Sequence, residues 1–170
     1  MDSFLAIASR REVREYAGRP IPADAERRIL EAGRIAGSSR NGQPWRFVVV
    51  ESPSLRERLA ESVYTAGNVR GAALVVVIAV QGRGRAEFDA GRAAQNMMLE
   101  AWNDQIGSCP NGMPDPDAVA QLLDLDAGQR PTVVLTFGYP IRTRDPQRHT
   151  ALEWIERANR KPFDEVVQRV

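Results

Sequence analysis

The feature that most constrains the fold is an uninterrupted apolar run between residues 72 and 80. It reads Ala-Ala-Leu-Val-Val-Val-Ile-Ala-Val and shows no alternation with polar residues. Successive side chains of a strand point to opposite faces of its sheet, so a strand that is apolar throughout must be covered on both faces. The run therefore predicts a central strand with helices on each side, a three-layer α/β/α arrangement.

Other patterns supply the remaining layers. Runs rich in β-branched residues predict one strand that follows the Pro44-Trp45 corner and reaches Val50, and another over residues 131–137. Apolar residues that recur at intervals of three and four predict one helix over residues 23–36, another that opens at Ser52, and the longest over residues 88–105. The longest helix carries small residues and Met on a wide stripe, which suits close packing against a second helix of this chain or of another subunit.

The connections between these elements also have recognisable signals. Gly37 is expected to end the preceding helix in a left-handed conformation. Residues 106–114, which contain two glycines and two prolines, are expected to form a compact loop. Asp115 or Asp117 is expected to cap the helix that follows this loop. Asp2 is expected to cap a short first helix, and at helical spacing Arg10 and Arg14 would share a face.

Composition narrows the function classes. The chain has 170 residues, which fits a single domain over residues 1–170, and its 23 basic residues nearly balance 22 acidic ones. This balance gives no reason to expect a nucleic-acid or membrane surface. One Cys and one His do not supply a structural metal site. The lone Cys109 and a start without a signal-peptide pattern lead us to expect a cytoplasmic protein.

Two polar segments stand out as candidates for binding. The segment Ser38-Ser39-Arg40-Asn41-Gly42-Gln43-Pro44-Trp45 places hydroxyl and amide groups directly before a predicted strand, as binding loops often do. Arg10, Arg11 and Arg14 carry guanidinium groups that suit a phosphate, although a solvated basic surface explains the same cluster. No nucleophile elbow, Walker loop or dinucleotide-binding glycine motif is present, so any chemistry must come from a bound cofactor.

The chain resembles the nitroreductase family of flavin-dependent oxidoreductases. Four segments in the family's order carry the resemblance: Ser9-Arg10-Arg11-Glu12-Val13-Arg14-Glu15-Tyr16, the Ser38–Trp45 segment, Gly138-Tyr139-Pro140, and Asn159-Arg160-Lys161-Pro162-Phe163. The resemblance implies an α+β fold with a mixed, mainly antiparallel sheet flanked by helices. It also implies a homodimer with an exchanged C-terminal tail, and an FMN that takes hydride from NADH or NADPH and reduces a small acceptor in a ping-pong cycle.

The resemblance also implies roles for particular residues. Arg10, Arg11 and Arg14 match the positions that hold the FMN phosphate, and Arg160 and Lys161 match the C-terminal basic pair that joins them. Ser38, Ser39, Asn41 and Gln43 match the loop that holds the ribityl chain and the pyrimidine edge, typically from the partner subunit. Pro110, Asn111 and Gly112 match a loop near the flavin ring. No side chain is assigned as a general acid or base, because the flavin carries the hydride.

Three alternatives remain open at this point. One is a specialised branch of the same fold, such as a reductive dehalogenase or a flavin-fragmenting enzyme. Another is a flavin or deazaflavin binding protein without nitroreductase turnover. The third is a dimeric interaction module that has lost its cofactor. The leading hypothesis stays an FMN-dependent NAD(P)H oxidoreductase that acts on nitroaromatics, quinones or a similar small acceptor.

Overall fold

The chain is divided into two units in a computed structural model that describes residues 1–170. The larger unit spans residues 11–144, and the smaller unit combines residues 1–10 with residues 145–170. No helix has the length and apolar character required to cross a bilayer. The interpretation of residues 1–170 as a single domain stays a prediction.

A four-stranded sheet forms the centre of the larger unit, with strand order β1-β2-β4-β3. The strands are β1 (Trp45–Val49), β2 (Leu74–Gln81), β3 (Gly107–Asn111) and β4 (Gln129–Gly138). All three pairings between these strands are antiparallel, and the parallel contribution is an isolated bridge between Glu12 and Ser108. The sheet is thus mainly antiparallel, as the family resemblance implies.

The central strand β2 is buried on both faces, as its apolar sequence predicts. Val76 and Ile78 belong to one core, which also contains buried residues of the longest helix. Val75 and Val77 belong to a second core on the opposite face. Every residue of β2 from Leu74 to Val80 is at most 3% exposed. Burial on both sides makes β2 the structural axis of the larger unit.

Five helices of the larger unit cover this sheet. They are α2 (Ala23–Arg34), α3 (Pro53–Glu61), α4 (Ala66–Gly71), α5 (Arg85–Asn103) and α6 (Pro116–Leu122). The predicted caps are confirmed, since Ser52 accepts a hydrogen bond from Leu55 N and Asp115 accepts two from the first turn of α6. The short helix α4 was not predicted, because its six residues are too few to show a period.

Two predictions about connections are wrong. Residues 107–111 form the edge strand β3, not part of a compact loop, because an edge strand tolerates Pro110 where a central strand would lose a ladder hydrogen bond. Gly37 does not adopt a left-handed conformation. Its missing side chain instead makes room for the Arg92 guanidinium, which a Cβ at Gly37 would overlap.

The smaller unit contains the first helix and the C-terminal segment. Its helices are α1 (Ser3–Ser9), α7 (Ala151–Glu156) and α8 (Phe163–Val166). Asp2 caps α1 as predicted, by accepting a hydrogen bond from Leu5 N at 3.0 Å. The prediction that Arg10 and Arg14 share a helical face is wrong, because α1 ends at Ser9 and the backbone is extended at Arg10. Thr150 and Glu153 cap α7 reciprocally.

Replacing Ile78 with Ala should destabilise the protein strongly, because Ile78 is fully buried at the centre of β2. We expect the free energy of unfolding, measured by urea titration, to fall by about 2–5 kcal/mol. Ile141→Ala is a matched control, since this side chain is 61% exposed and its loss should change stability by about 0.5 kcal/mol or less. Equal effects of the two substitutions would contradict the burial of β2.

Candidate functional site

The segment from Arg11 to Tyr16 lies along the outer edge of the sheet. Val13 N donates to Ser108 O at 3.0 Å, and Tyr16 forms a bridge with Pro140. Two glycines allow this approach: a Cβ at Gly107 would lie 2.5 Å from Val13 Cγ2, and a Cβ at Gly138 would lie 2.7 Å from Tyr16 Cδ1. The segment therefore depends on glycine at both strand positions that it crosses.

A buried polar network fixes the position of β3. The Asn111 side-chain amide donates to Cys109 O at 3.0 Å and to Val134 O at 3.1 Å, and its oxygen accepts from Asn68 Nδ2 at 2.7 Å. Thr136 Oγ1 lies 3.2 Å from the Asn111 amide nitrogen and donates to Cys109 O at 3.1 Å. Asn111 is 4% exposed, so its side chain serves the structure of β3.

Tyr16 joins this network from the neighbouring segment. Its hydroxyl lies 2.8 Å from Thr136 Oγ1 and 3.2 Å from Thr136 O. Burial raises the pKa of Tyr16 well above its ordinary value of 10.0. Burial also raises the pKa of the Cys109 thiol, and the charge of Glu12 adds to that rise. Cys109 is 3% exposed and thus a small buried residue, a setting that does not favour a thiolate.

An open groove of about 510 Å³ lies beside the same segment. Arg14, Arg142 and Arg144 line it together with Glu12 and Glu15. Arg14 was predicted as a phosphate ligand, and the groove gives its guanidinium an accessible setting. Arg142 and Arg144 are not among the site residues predicted from the sequence. The signal that could have identified them is their place two and four residues after Gly138-Tyr139-Pro140.

The remaining predicted basic residues are distributed over the two units. Arg11 is half-buried in the larger unit. Arg10 belongs to the smaller unit and is half-buried there. Arg160 and Lys161 also belong to the smaller unit, where both are exposed. Their assignment to a phosphate site stays a prediction.

The polar loop before β1 has an unusual backbone. Arg40, Asn41 and Gln43 have φ angles of 54°, 55° and 44°, which residues other than glycine rarely adopt. Gln43 N donates to Ser38 Oγ at 2.9 Å, and Ser39 N donates to Asp89 Oδ2 at 2.9 Å. Ser39, Asn41 and Gln43 are exposed, and Ser38 is half-buried. The loop thus presents polar groups to the outside in one fixed conformation.

The two candidate segments of the larger unit lie at diagonal corners of the sheet. Pro44, at the end of the polar loop, pairs with Gln81 at one end of β2. Glu12 lies level with Leu74 at the other end of β2, through successive pairings across β3 and β4. Along the strand direction, the length of β2 separates the two segments by about 23 Å. Across the sheet, four strand spacings separate them by about 19 Å. Roughly 30 Å therefore separates the two segments within one chain.

Pro110, Asn111 and Gly112 lie at the same edge of the sheet as the Arg11–Tyr16 segment, because β3 is the edge strand beside that segment. Pro110 pairs with Leu135 of β4, and Gly112 O accepts a hydrogen bond from Tyr64 N at 3.1 Å. Pro110 and Gly112 are exposed. The three residues were predicted to form a loop near a flavin ring; they form an edge strand and its immediate continuation, and their contact with a flavin stays a prediction.

Comparisons with known proteins give a consistent result. The sequence profile described as the nitroreductase family matches residues 7–81 and 62–139. A NADH dehydrogenase of Thermus thermophilus is 28% identical, over 91% of this chain and 95% of the relative. A nitroreductase family protein of Clostridium difficile has a TM-score of 0.83 at 22% identity, covering 99% of this chain and 98% of the neighbour. This structural likeness confirms the predicted fold.

A second solved structure is informative about ligands. A protein of Desulfovibrio desulfuricans, solved in complex with FMN, has a TM-score of 0.82 and 28% identity to this chain. The likeness covers 100% of this chain and 98% of that protein. The FMN belongs to that protein, and the question for this chain is whether its own residues suit the same group.

Replacing Tyr16 with Phe should change how stability depends on pH. The raised pKa of Tyr16 keeps its phenol neutral in the folded state, whereas the unfolded chain ionises near pH 10. Below about pH 10 the wild-type protein should exceed Tyr16→Phe in free energy of unfolding by about 0.5–1.5 kcal/mol, and this advantage should shrink as the pH rises further. Urea titrations from about pH 8 to about pH 11 measure it.

Tyr64→Phe is the matched control for this series, because the Tyr64 side chain is 75% exposed. It should match the wild type in stability at each pH to within about 0.5 kcal/mol. An advantage of the wild type over Tyr16→Phe that stays constant across the whole pH range would contradict the assigned environment of Tyr16.

Proposed function

The chain belongs to the nitroreductase family, and from this premise we propose that it is an FMN-dependent oxidoreductase that uses NADH or NADPH to reduce a small acceptor, such as a nitroaromatic or a quinone. The single observation that carries the proposal is the presence of two segments that expose polar groups of complementary chemistry. One supplies guanidinium donors, and the other supplies hydroxyl and amide groups.

The donor set fits FMN. The phosphate of FMN requires cationic, multiply donating groups, and Arg14 offers such a group in an accessible groove. We assign Arg10, Arg11, Arg160 and Lys161 to the same phosphate. The ribityl hydroxyls and the pyrimidine edge require small polar partners, which Ser38, Ser39, Asn41 and Gln43 supply. The backbone at Pro110, Asn111 and Gly112 would flank the flavin ring, held by the buried network behind β3.

We propose that each site is formed by two copies of the chain. The polar loop and the Arg11–Tyr16 segment of one copy lie roughly 30 Å apart. Because the phosphate and the ring of one FMN are closer together than that, one copy cannot present both segments to one molecule. A twofold symmetric dimer brings one corner of each sheet to the opposite corner of its partner. The basic segment of one copy then meets the polar loop of the other, and the exchanged C-terminal tail completes the phosphate site.

A bound FMN would supply the hydride chemistry of the reaction, between the nicotinamide and the acceptor in a ping-pong cycle. The residues of this chain bind and orient that group. Arginine charge favours the phosphate, and the fixed polar loop sets the flavin's position relative to the incoming substrates. No side chain in the site has to act as a general acid or base.

The purified protein should show a flavin absorption spectrum, or acquire one when incubated with FMN. Without oxygen, this spectrum should bleach on addition of NADH or NADPH and recover when a quinone or nitroaromatic is added. A spectrum that persists with both nicotinamides would favour a flavin or deazaflavin binding protein of the same fold. A protein that takes up no FMN would contradict the proposed function.

Two defective variants should complement each other if the site is shared between copies. Arg14→Ala should weaken FMN binding by on the order of 1.5–3 kcal/mol, and the double variant Asn41→Ala/Gln43→Ala should lose the polar loop contacts. In a mixed dimer one site carries both defects and the other carries none. An equal mixture that exchanges freely should therefore recover about one quarter of the wild-type sites.

The number of tightly bound FMN molecules per chain, measured by equilibrium dialysis, reads this recovery directly. Each variant alone, and the two mixed without subunit exchange, serve as controls. A site contained in a single chain predicts no recovery, because every chain in the mixture then keeps one defect. That result would refute the shared site while leaving FMN binding by the wild type intact.

A further inference from the structure

A buried carboxylate lies behind the polar loop. Asp89, on α5, is 3% exposed, and its Oδ2 accepts a hydrogen bond from Ser39 N at 2.9 Å. Its other oxygen, Oδ1, lies 3.7 Å from Arg92 Nη1. One oxygen is thus directed to the loop and the other to a cation of the same helix. Burial excludes competing water, so this charge-assisted bond is stronger than an exposed one.

The loop needs such support because its backbone is strained. Arg40, Asn41 and Gln43 all have positive φ angles, although none of them is glycine. Such conformations persist only where surrounding contacts impose them, and they concentrate at ligand-binding sites. Within the loop, Gln43 N donates to Ser38 Oγ at 2.9 Å and Asn41 N donates to Ser38 O at 3.0 Å. These internal bonds fix the turn but do not fix its position on the protein.

Two external hydrogen bonds fix that position. At the C-terminal end of the loop, Gln81 N donates to Pro44 O at 2.9 Å, which ties the loop to the sheet. At the N-terminal end, the bond from Ser39 N to Asp89 ties it to α5. Gly37 helps indirectly, because its missing side chain leaves room for the Arg92 guanidinium beside Asp89. Removal of the Asp89 carboxylate would leave the strained turn held at one end.

We propose that Asp89 is a positioning residue that holds the Ser38–Gln43 loop in its flavin-binding conformation. The proposal rests on the proposed function, since it gives the loop a ligand. In this role Asp89 supports the loop and is not itself a flavin ligand. It acts through Ser39, and its loss should release the loop without removing any group that contacts the cofactor.

Two measurements on Asp89→Ala test this role. The dissociation constant for FMN, from quenching of flavin fluorescence, should rise about tenfold or more, as the loss of a charge-assisted hydrogen bond predicts. Trypsin should also cleave after Arg40 faster than in the wild type, while its other cleavage sites keep their rates. Asp89→Asn keeps an acceptor oxygen of the same shape, so it should restore part of the wild-type behaviour in both measurements and provides a second variant if Asp89→Ala folds poorly.

Asp115→Ala is the matched control, because the Asp115 carboxylate also accepts backbone hydrogen bonds, from Asp117 N and Ala118 N at 3.0 Å. It should lower stability without changing the FMN dissociation constant or the cleavage after Arg40. The proposal is overturned if Asp89→Ala leaves either measurement unchanged, or if cleavage accelerates equally at all sites. If the wild type binds no FMN, the proposed function fails, and cleavage after Arg40 alone still decides whether Asp89 anchors the loop.

Discussion

The burial of β2 on both faces is the constraint on which the rest of the structure depends. A strand covered by helices on each side leaves no place for unpaired polar groups along its length. The polar groups that could bind a ligand therefore lie where the sheet stops. The Ser38–Gln43 loop lies at one end of β2, and the Arg11–Tyr16 segment lies across the edge strand near the other end.

The edge strand β3 shows how polar chemistry enters the sheet under this constraint. Its side chains do not rely on apolar packing alone, since Asn111 is buried and fully occupied by backbone and side-chain partners. A satisfied buried network fixes a strand more specifically than apolar contacts do, because a shift in register would leave several partners unmatched. The Arg11–Tyr16 segment in turn covers part of the free edge, where unpaired backbone groups favour aggregation.

Much of the fold could be predicted from the sequence because local signals agree there with the global packing. The apolar β2 run, the helical periodicities and the caps are local signals, because each involves residues only a few positions apart in the sequence. The caps are Asp2, Ser52 and Asp115. The wrong predictions share a different origin. The strand β3 has a turn-like composition and forms only because β4 pairs with it, and Gly37 accommodates Arg92, which is distant in sequence.

The candidate site likewise combines residues that local sequence signals identify with residues that only the fold brings together. Arg14 and the polar loop could be identified by residue type, and their resemblance to a known family gave them roles. Arg142 and Arg144 were not assigned, because their place after Gly138-Tyr139-Pro140 is the only signal in the sequence, and the fold is what brings them to the groove beside Arg14. Asp89 lies 50 residues from its partner Ser39 and looks in sequence like an ordinary charged residue on an amphipathic helix.

The separation of the two segments has a thermodynamic consequence under the proposed two-copy site. A ligand that contacts both copies binds the assembly and not the separated chains, so its binding must stabilise the assembly by linkage. The same coupling acts in reverse, because assembly raises the affinity for the ligand by the same factor. A rigid loop increases this coupling, since a loop already held in its binding conformation loses little entropy when the partner and the ligand arrive. The free-energy cost of the strained backbone at Arg40, Asn41 and Gln43 is thus incurred during folding, before the second copy or the ligand binds.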